Sequence, residues 1–130
     1  MQERGLRRPL ISSGLDHADE TVARAQLETA WLMLTRETLP ALAAERRFPA
    51  KAWPVSADHC FMRIILDAVH GQRWDAAVKA RPAYRHIDDD RLRASIKLAQ
   101  RIASGEADLW ALNAQSLAWR GKQRIMTDNA

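Results

Sequence analysis

The segment Ser56-Ala-Asp-His-Cys-Phe-Met-Arg-Ile-Ile-Leu-Asp-Ala-Val-His-Gly71 decides the fold class. Cys60, Phe61, Met62, Ile64, Ile65, Leu66, Ala68 and Val69 wrap most of a helical circumference, so this helix belongs at the centre of a core. Ser56 is a natural N-cap and Gly71 a natural stop, which predicts a helix over about 57–70. The exceptions form one stripe. His59, Arg63, Asp67 and His70 follow at spacings of four, four and three, which puts them on one side. Burying such groups is costly unless each reaches water, a partner or a ligand.

Helical spacing also holds on either side. Ala23, Leu27, Ala30, Trp31 and Leu34 share a face over 19–36, with Glu20, Arg24 and Glu28 on the other. Thr38 can cap a separate short helix, since Pro40 is tolerated in a first turn, and that helix should end near Arg47. Pro49 and Pro54 flank Trp53 in an extended connector. A short helix near 75–79 precedes Pro82, Asp88 to Asp90 open a helix that stops at Gly105, and a last helix runs over about 106–120. Leu92, Ile96, Ala99 and Ala103 face inward from the second of these. No window alternates with period two. The expected fold is all-α: a bundle of about five helices over 16–122, with a polar arm at 1–15 and a loose tail at 123–130.

Composition sets the class. The chain has 130 residues, 47% of them hydrophobic and 28% charged, which excludes a disordered chain and a second sizeable domain. No apolar run approaches the length of a membrane-spanning helix. Arg4, Arg7 and Arg8 are followed by no apolar region, so a secretory signal is not expected. The one cysteine, Cys60, suits a reducing compartment, and a cytoplasmic location is the expectation. Lys and Arg total 20 against 16 acids, a net charge of +4.

Several groups invite a chemical reading. The His59/Arg63/Asp67/His70 stripe reads either as an Asp67–Arg63 pair with histidines at the solvent boundary, or as the polar wall of a pocket in which a histidine acts as acid or base. Asn113, Ser116 and Arg120 form a second stripe at spacings of three and four. The two stripes would line one pocket if they faced each other, although a polar network without a ligand has the same pattern. Arg81, Tyr84, Arg85 and His86 can clamp a phosphate or carboxylate, or form a solvated loop neutralised by Asp88, Asp89 and Asp90. Candidate ligand-binding residues are thus His59, Arg63, Asp67, His70, Arg81, Tyr84, Arg85, Asn113 and Arg120. Asp67 and His70, or members of His17, Asp19 and Glu20, have ligand types, but the second carboxylate–histidine pair of a di-metal bundle is missing, and no metal is expected. Cys60, among Phe61, Ile64 and Ile65, reads as an inert small hydrophobe. Trp31, Trp110 and Trp119 read as core; Trp53 and Trp74 sit at helix flanks.

Three strings, Asp58-His-Cys-Phe-Met-Arg-Ile-Ile-Leu-Asp67, Arg81-Pro-Ala-Tyr-Arg-His86 and Leu112-Asn-Ala-Gln-Ser-Leu-Ala-Trp-Arg-Gly-Lys122, resemble a group of short bacterial proteins that carry a GNAT-type acetyltransferase label. The resemblance spans about 48–122 and implies acetyl-CoA as cofactor. Acetyltransferases of that type are mixed α/β, with a pyrophosphate loop ahead of a helix. The nearest run here, Arg101-Ile-Ala-Ser-Gly105-Glu-Ala107, is one residue longer and follows a helix, so no catalytic residue is assigned from it.

The leading expectation is a helical binding or accessory protein that recognises an anionic small molecule or a protein partner, without a cofactor. An acyl-CoA-dependent transferase is the alternative, as is a nucleic-acid-binding module using Arg93, Lys97, Gln100 and Arg101 on one outward face. No membrane partner is expected, and self-association stays open.

Overall fold

A computed structural model describes the backbone of residues 13–45 and 52–121, and the side chains from Glu20 onward within those ranges. Residues 1–12 of the arm expected at 1–15, the connector as far as residue 51 and the tail expected at 123–130 lie outside the described residues. Within them the chain is all-helical and has no strand. Helix α1 (Ser13–Met33) passes through a π turn (Leu34–Thr38) directly into α2 (Leu39–Glu45). After the connector come α3 (Asp58–His70), the single turn α4 (Trp74–Ala77), a 3₁₀ turn (Ala83–Arg85), α5 (Asp89–Ser104) and α6 (Leu109–Trp119). With α1 through α2 taken as one rod, these make five helical segments.

That rod corrects the expected break at Thr38. Met33 and Leu39, on either side of the π turn, both keep right-handed helical angles, and the Leu39 N–H bonds to the Leu34 carbonyl. The buried residues Trp31, Thr35, Leu39 and Ala43 explain why a π turn belongs here. Steps of four on an ideal helix drift by roughly 40° each, roughly 120° over three steps, and the extra residue of a π turn removes most of that drift. One wide turn thus keeps four residues on the core side. Pro40 has no N–H to give back to the helix, and sits just after the turn where the bonding pattern has already changed. The Thr35 hydroxyl is satisfied by the Trp31 carbonyl at 2.9 Å.

Helix α3 takes the central place expected of it, packing on α5, α6 and the π turn. Phe61, Ile64 and Ile65 are fully buried beside Trp31, Leu39, Leu92 and Ala99. Its N-cap, however, is Ala57 without a side-chain bond, one residue later than expected; Asp58 instead places a carboxylate in the first turn, accepting from the His59 N–H at 2.6 Å. The C-terminus ends as expected on Gly71, at φ 69°. Helices α5 and α6 are capped by Asp88 and Asp108, whose side chains accept from the Arg91 and Ala111 N–H groups at 2.7 and 3.1 Å.

Two further expectations change. Arg24 does not lie on a solvent face: it is half-buried and clamps α1 to the segment ahead of α5. Its guanidinium donates to the Asp89 carboxylate at 2.6 Å and to the Tyr84 and Ile87 carbonyls at 2.9 and 2.7 Å, with Glu28 one turn along at 3.0 Å. Trp110 is not core. It is 55% exposed, its indole N–H donating to the Ala52 carbonyl at 3.2 Å. Trp31 is fully buried, and Trp53 meets Phe61 edge to face with centroids 5.8 Å apart. No described helix is long and apolar enough to cross a membrane.

Candidate functional site

The two polar stripes do face each other, across the α3–α6 contact, but what they form is a bonded network. Asp67 and Ser116 are fully buried and Asn113 nearly so. The Ser116 hydroxyl donates to Asp67 Oδ2 at 2.6 Å and accepts from Arg63 Nη1 at 2.7 Å. Arg63 Nη2 donates to Asn113 Oδ1 at 3.0 Å. Arg120 forks onto both oxygens of Asp67, Nε and Nη2 each at 2.9 Å, and the Trp74 N–H bonds to Oδ1 at 2.8 Å. Asp67 therefore pairs with Arg120, and Ser116 stands between it and Arg63. The bond to Asp67 outweighs the burial of Arg120 and raises its pKa above the ordinary arginine value. Arg120 also approaches Asp75 at 3.6 Å, while the bond from Arg73 holds the Asp75 carboxyl below its usual range.

The other candidates lie elsewhere. His59 is exposed at the start of α3, next to Asp58. The His70 ring bonds through Nδ1 to the Leu66 carbonyl at 2.7 Å, so Nδ1 carries a proton. Nε2 is buried and has no hydrogen-bond partner among the described residues. His70 borders a depression of about 280 Å³ shared with His86, Asp88 and Arg91, away from the α3–α6 network. Arg85 is exposed.

One cavity of about 450 Å³ opens between the π-turn region, α3 and the 74–84 segment. Trp31, Met62, Leu66, Trp74, Pro82, Ala83 and Tyr84 supply its apolar surface; Arg36, Arg63, Arg81 and His59 supply its polar groups, and no carboxylate lines it among the described residues. Its size and its few polar groups in an apolar lining match ordinary small-molecule sites. The 74–84 wall is held in place by bonds to its backbone and by a contact within it. Arg24 fixes the Tyr84 backbone, Asp67 fixes the Trp74 backbone, and the Arg81 guanidinium stacks on the Trp74 ring at 5.0 Å from its centroid.

Of the candidate residues, the cavity thus collects His59, Arg63, Arg81 and Tyr84, while Asp67, Asn113 and Arg120 stand behind Arg63. Trp31 and Arg36 were missing from the sequence reading of the site. Their place depends on the π turn, for which no pattern in the sequence was read. The outward face of α5 is partly neutralised, Arg93 lying 3.7 Å from Asp90 and Arg101 3.7 Å from Glu106. No group of three or more His, Cys, Asp or Glu able to hold a metal ion occurs among the described residues. No family model matches the chain, and neither a curated protein nor a solved structure matches it.

Proposed function

We propose that the protein binds a small molecule with an apolar body and an anionic head in the cavity between the π-turn region, α3 and the 74–84 segment. The observation that carries this reading is the lining: aromatic and aliphatic side chains around three arginines and a histidine, without a carboxylate. An apolar body of ring or short-chain size covers the part-exposed Met62, Trp74 and Tyr84, which favours burial by the hydrophobic effect. Arginine presents a planar donor fork that suits carboxylate and phosphate oxygens. Arg63 sits part-buried at the inner wall, whereas Arg36 and Arg81 are exposed. The charged head is thus offered one fixed partner and two adaptable ones.

Arg36 and Arg81 can be changed without opening the core, which separates binding from folding. In calorimetry with 1-naphthoate, the Arg36→Gln/Arg81→Gln double variant should bind about tenfold or more weakly than the unaltered chain, by loss of charge-assisted contacts. Its thermal midpoint should stay within about 2 °C, as for ordinary surface substitutions. Equal affinity in the two proteins would remove the cavity as the site. Acetyl-CoA belongs in the same titration series because the sequence resemblance implies it. Heat from acetyl-CoA that disappears in the double variant would favour the acyl-CoA reading of the same cavity.

A further inference from the structure

Neither Asn113 nor Ser116 lines the cavity, yet both bond to the arginine that does. We infer that these two α6 residues are positioning residues that fix Arg63 as an anion anchor, so that α6 sets the cavity's preference for a charged oxyanion over its neutral isostere. The inference rests on the binding reading above and deepens it.

The geometry carries the argument. Asn113 and Ser116 lie about one turn apart on α6, and their oxygens accept hydrogen bonds from the two different Nη atoms of Arg63. Two acceptors on two nitrogens hold the guanidinium against rotation about its long axis. A guanidinium has five N–H donors, and the two bonds to α6 leave Nε–H and the remaining Nη–H groups for a ligand. Free arginine side chains lose rotamer freedom when they grip an anion; a guanidinium already fixed loses little.

The serine is oriented in turn. Its hydroxyl proton goes to Asp67 Oδ2, which turns its lone pairs toward Arg63. Asp67 itself is held by the fork of Arg120 and by the Trp74 N–H. One buried carboxylate thereby fixes both the anion anchor and the backbone of an aromatic wall. A chain of bonds of this kind runs from Arg120 through Asp67 and Ser116 to Arg63, and buried networks with every member satisfied are rigid.

The test compares 1-naphthoate with 1-naphthamide, which has the same shape and no charge, by calorimetry on the unaltered chain and on Ser116→Ala, Ser116→Thr and Asn113→Ala. The unaltered chain should prefer the acid. Ser116→Ala and Asn113→Ala should each weaken the acid about tenfold and the amide less than about twofold, as expected for loss of a fixed charged partner. Ser116→Thr keeps the hydroxyl and should keep the preference. Far-ultraviolet circular dichroism and thermal unfolding report whether each variant is folded, and Asn113→Ala serves alone if Ser116→Ala is not. Equal weakening of acid and amide, or no weakening of either, overturns the positioning role while the binding reading stands. Binding of neither ligand by the unaltered chain, or equal binding of both, overturns the binding reading itself.

Discussion

Asp67 has no exposed surface and makes bonds to three residues, Ser116 on α6, Arg120 at the C-terminal cap of α6 and Trp74 at the start of α4. A buried carboxylate of this kind is held by its partners, and removing it strands a guanidinium beside it. Asp67→Ala should therefore cost about 3–5 kcal/mol in urea unfolding, the range for breaking a buried pair. His59, four-fifths exposed, belongs to the same helical stripe but to none of these bonds. His59→Ala should fall within about 0.5 kcal/mol of the unaltered chain. The sequence showed that Asp67 needed a partner, because an acid on an apolar helix must have one. It did not show which: Arg63, four residues away, was the local choice, and the partner turned out to be Arg120, 53 residues on. A spacing rule sees only neighbours on one helix.

At the scale of helices, the ends read well and the joins did not. Gly71 and Gly105 stop α3 and α5 at φ 69° and 90°, with nothing within 4 Å of an added Cβ. Gly105→Ala therefore tests backbone strain alone, and should lower stability by about 1 kcal/mol in urea. Asp88 caps α5, and the Arg91 N–H, helped by the Arg91 side chain, lowers its pKa from the ordinary value of 3.8. A carboxyl whose pKa is depressed on folding stabilises the fold above its unfolded pKa and loses that contribution as pH falls through the folded one. The stability difference between the unaltered chain and Asp88→Asn should thus be full at neutral pH. It should shrink progressively below about pH 4, which thermal unfolding across pH reads directly. The π turn escaped the sequence reading because Thr38-Leu-Pro40 looks like a helix start, whereas the spacing of Trp31, Thr35, Leu39 and Ala43 has meaning only once their common burial is known.

At the scale of the molecule, the all-helical class followed from the apolar wrap of α3, and the chain folds around that helix. The cavity is a different matter. It combines side chains from the rod, from α3 and from the 74–84 segment, and no single helix contains its pattern. Half-buried Arg24 and buried Asp67 hold the two ends of the 74–84 segment by bonds to backbone, which is information about packing that periodicity does not hold. Electrostatic capture by an arginine-lined mouth should also be screened: raising salt from about 0.05 to 0.5 M should weaken 1-naphthoate binding and leave 1-naphthamide unchanged.

The indole N–H signals of the five tryptophans offer the most direct view of the central claim, because they sample both the cavity and its exterior. Trp31 and Trp74 line it, whereas Trp110 does not and is exposed. In a proton–nitrogen correlation spectrum titrated with 1-naphthoate, the Trp31 and Trp74 signals should move together and saturate, with Trp110 unmoved. Saturable shifts confined to Trp110, or no saturable shift at any tryptophan, would contradict the account.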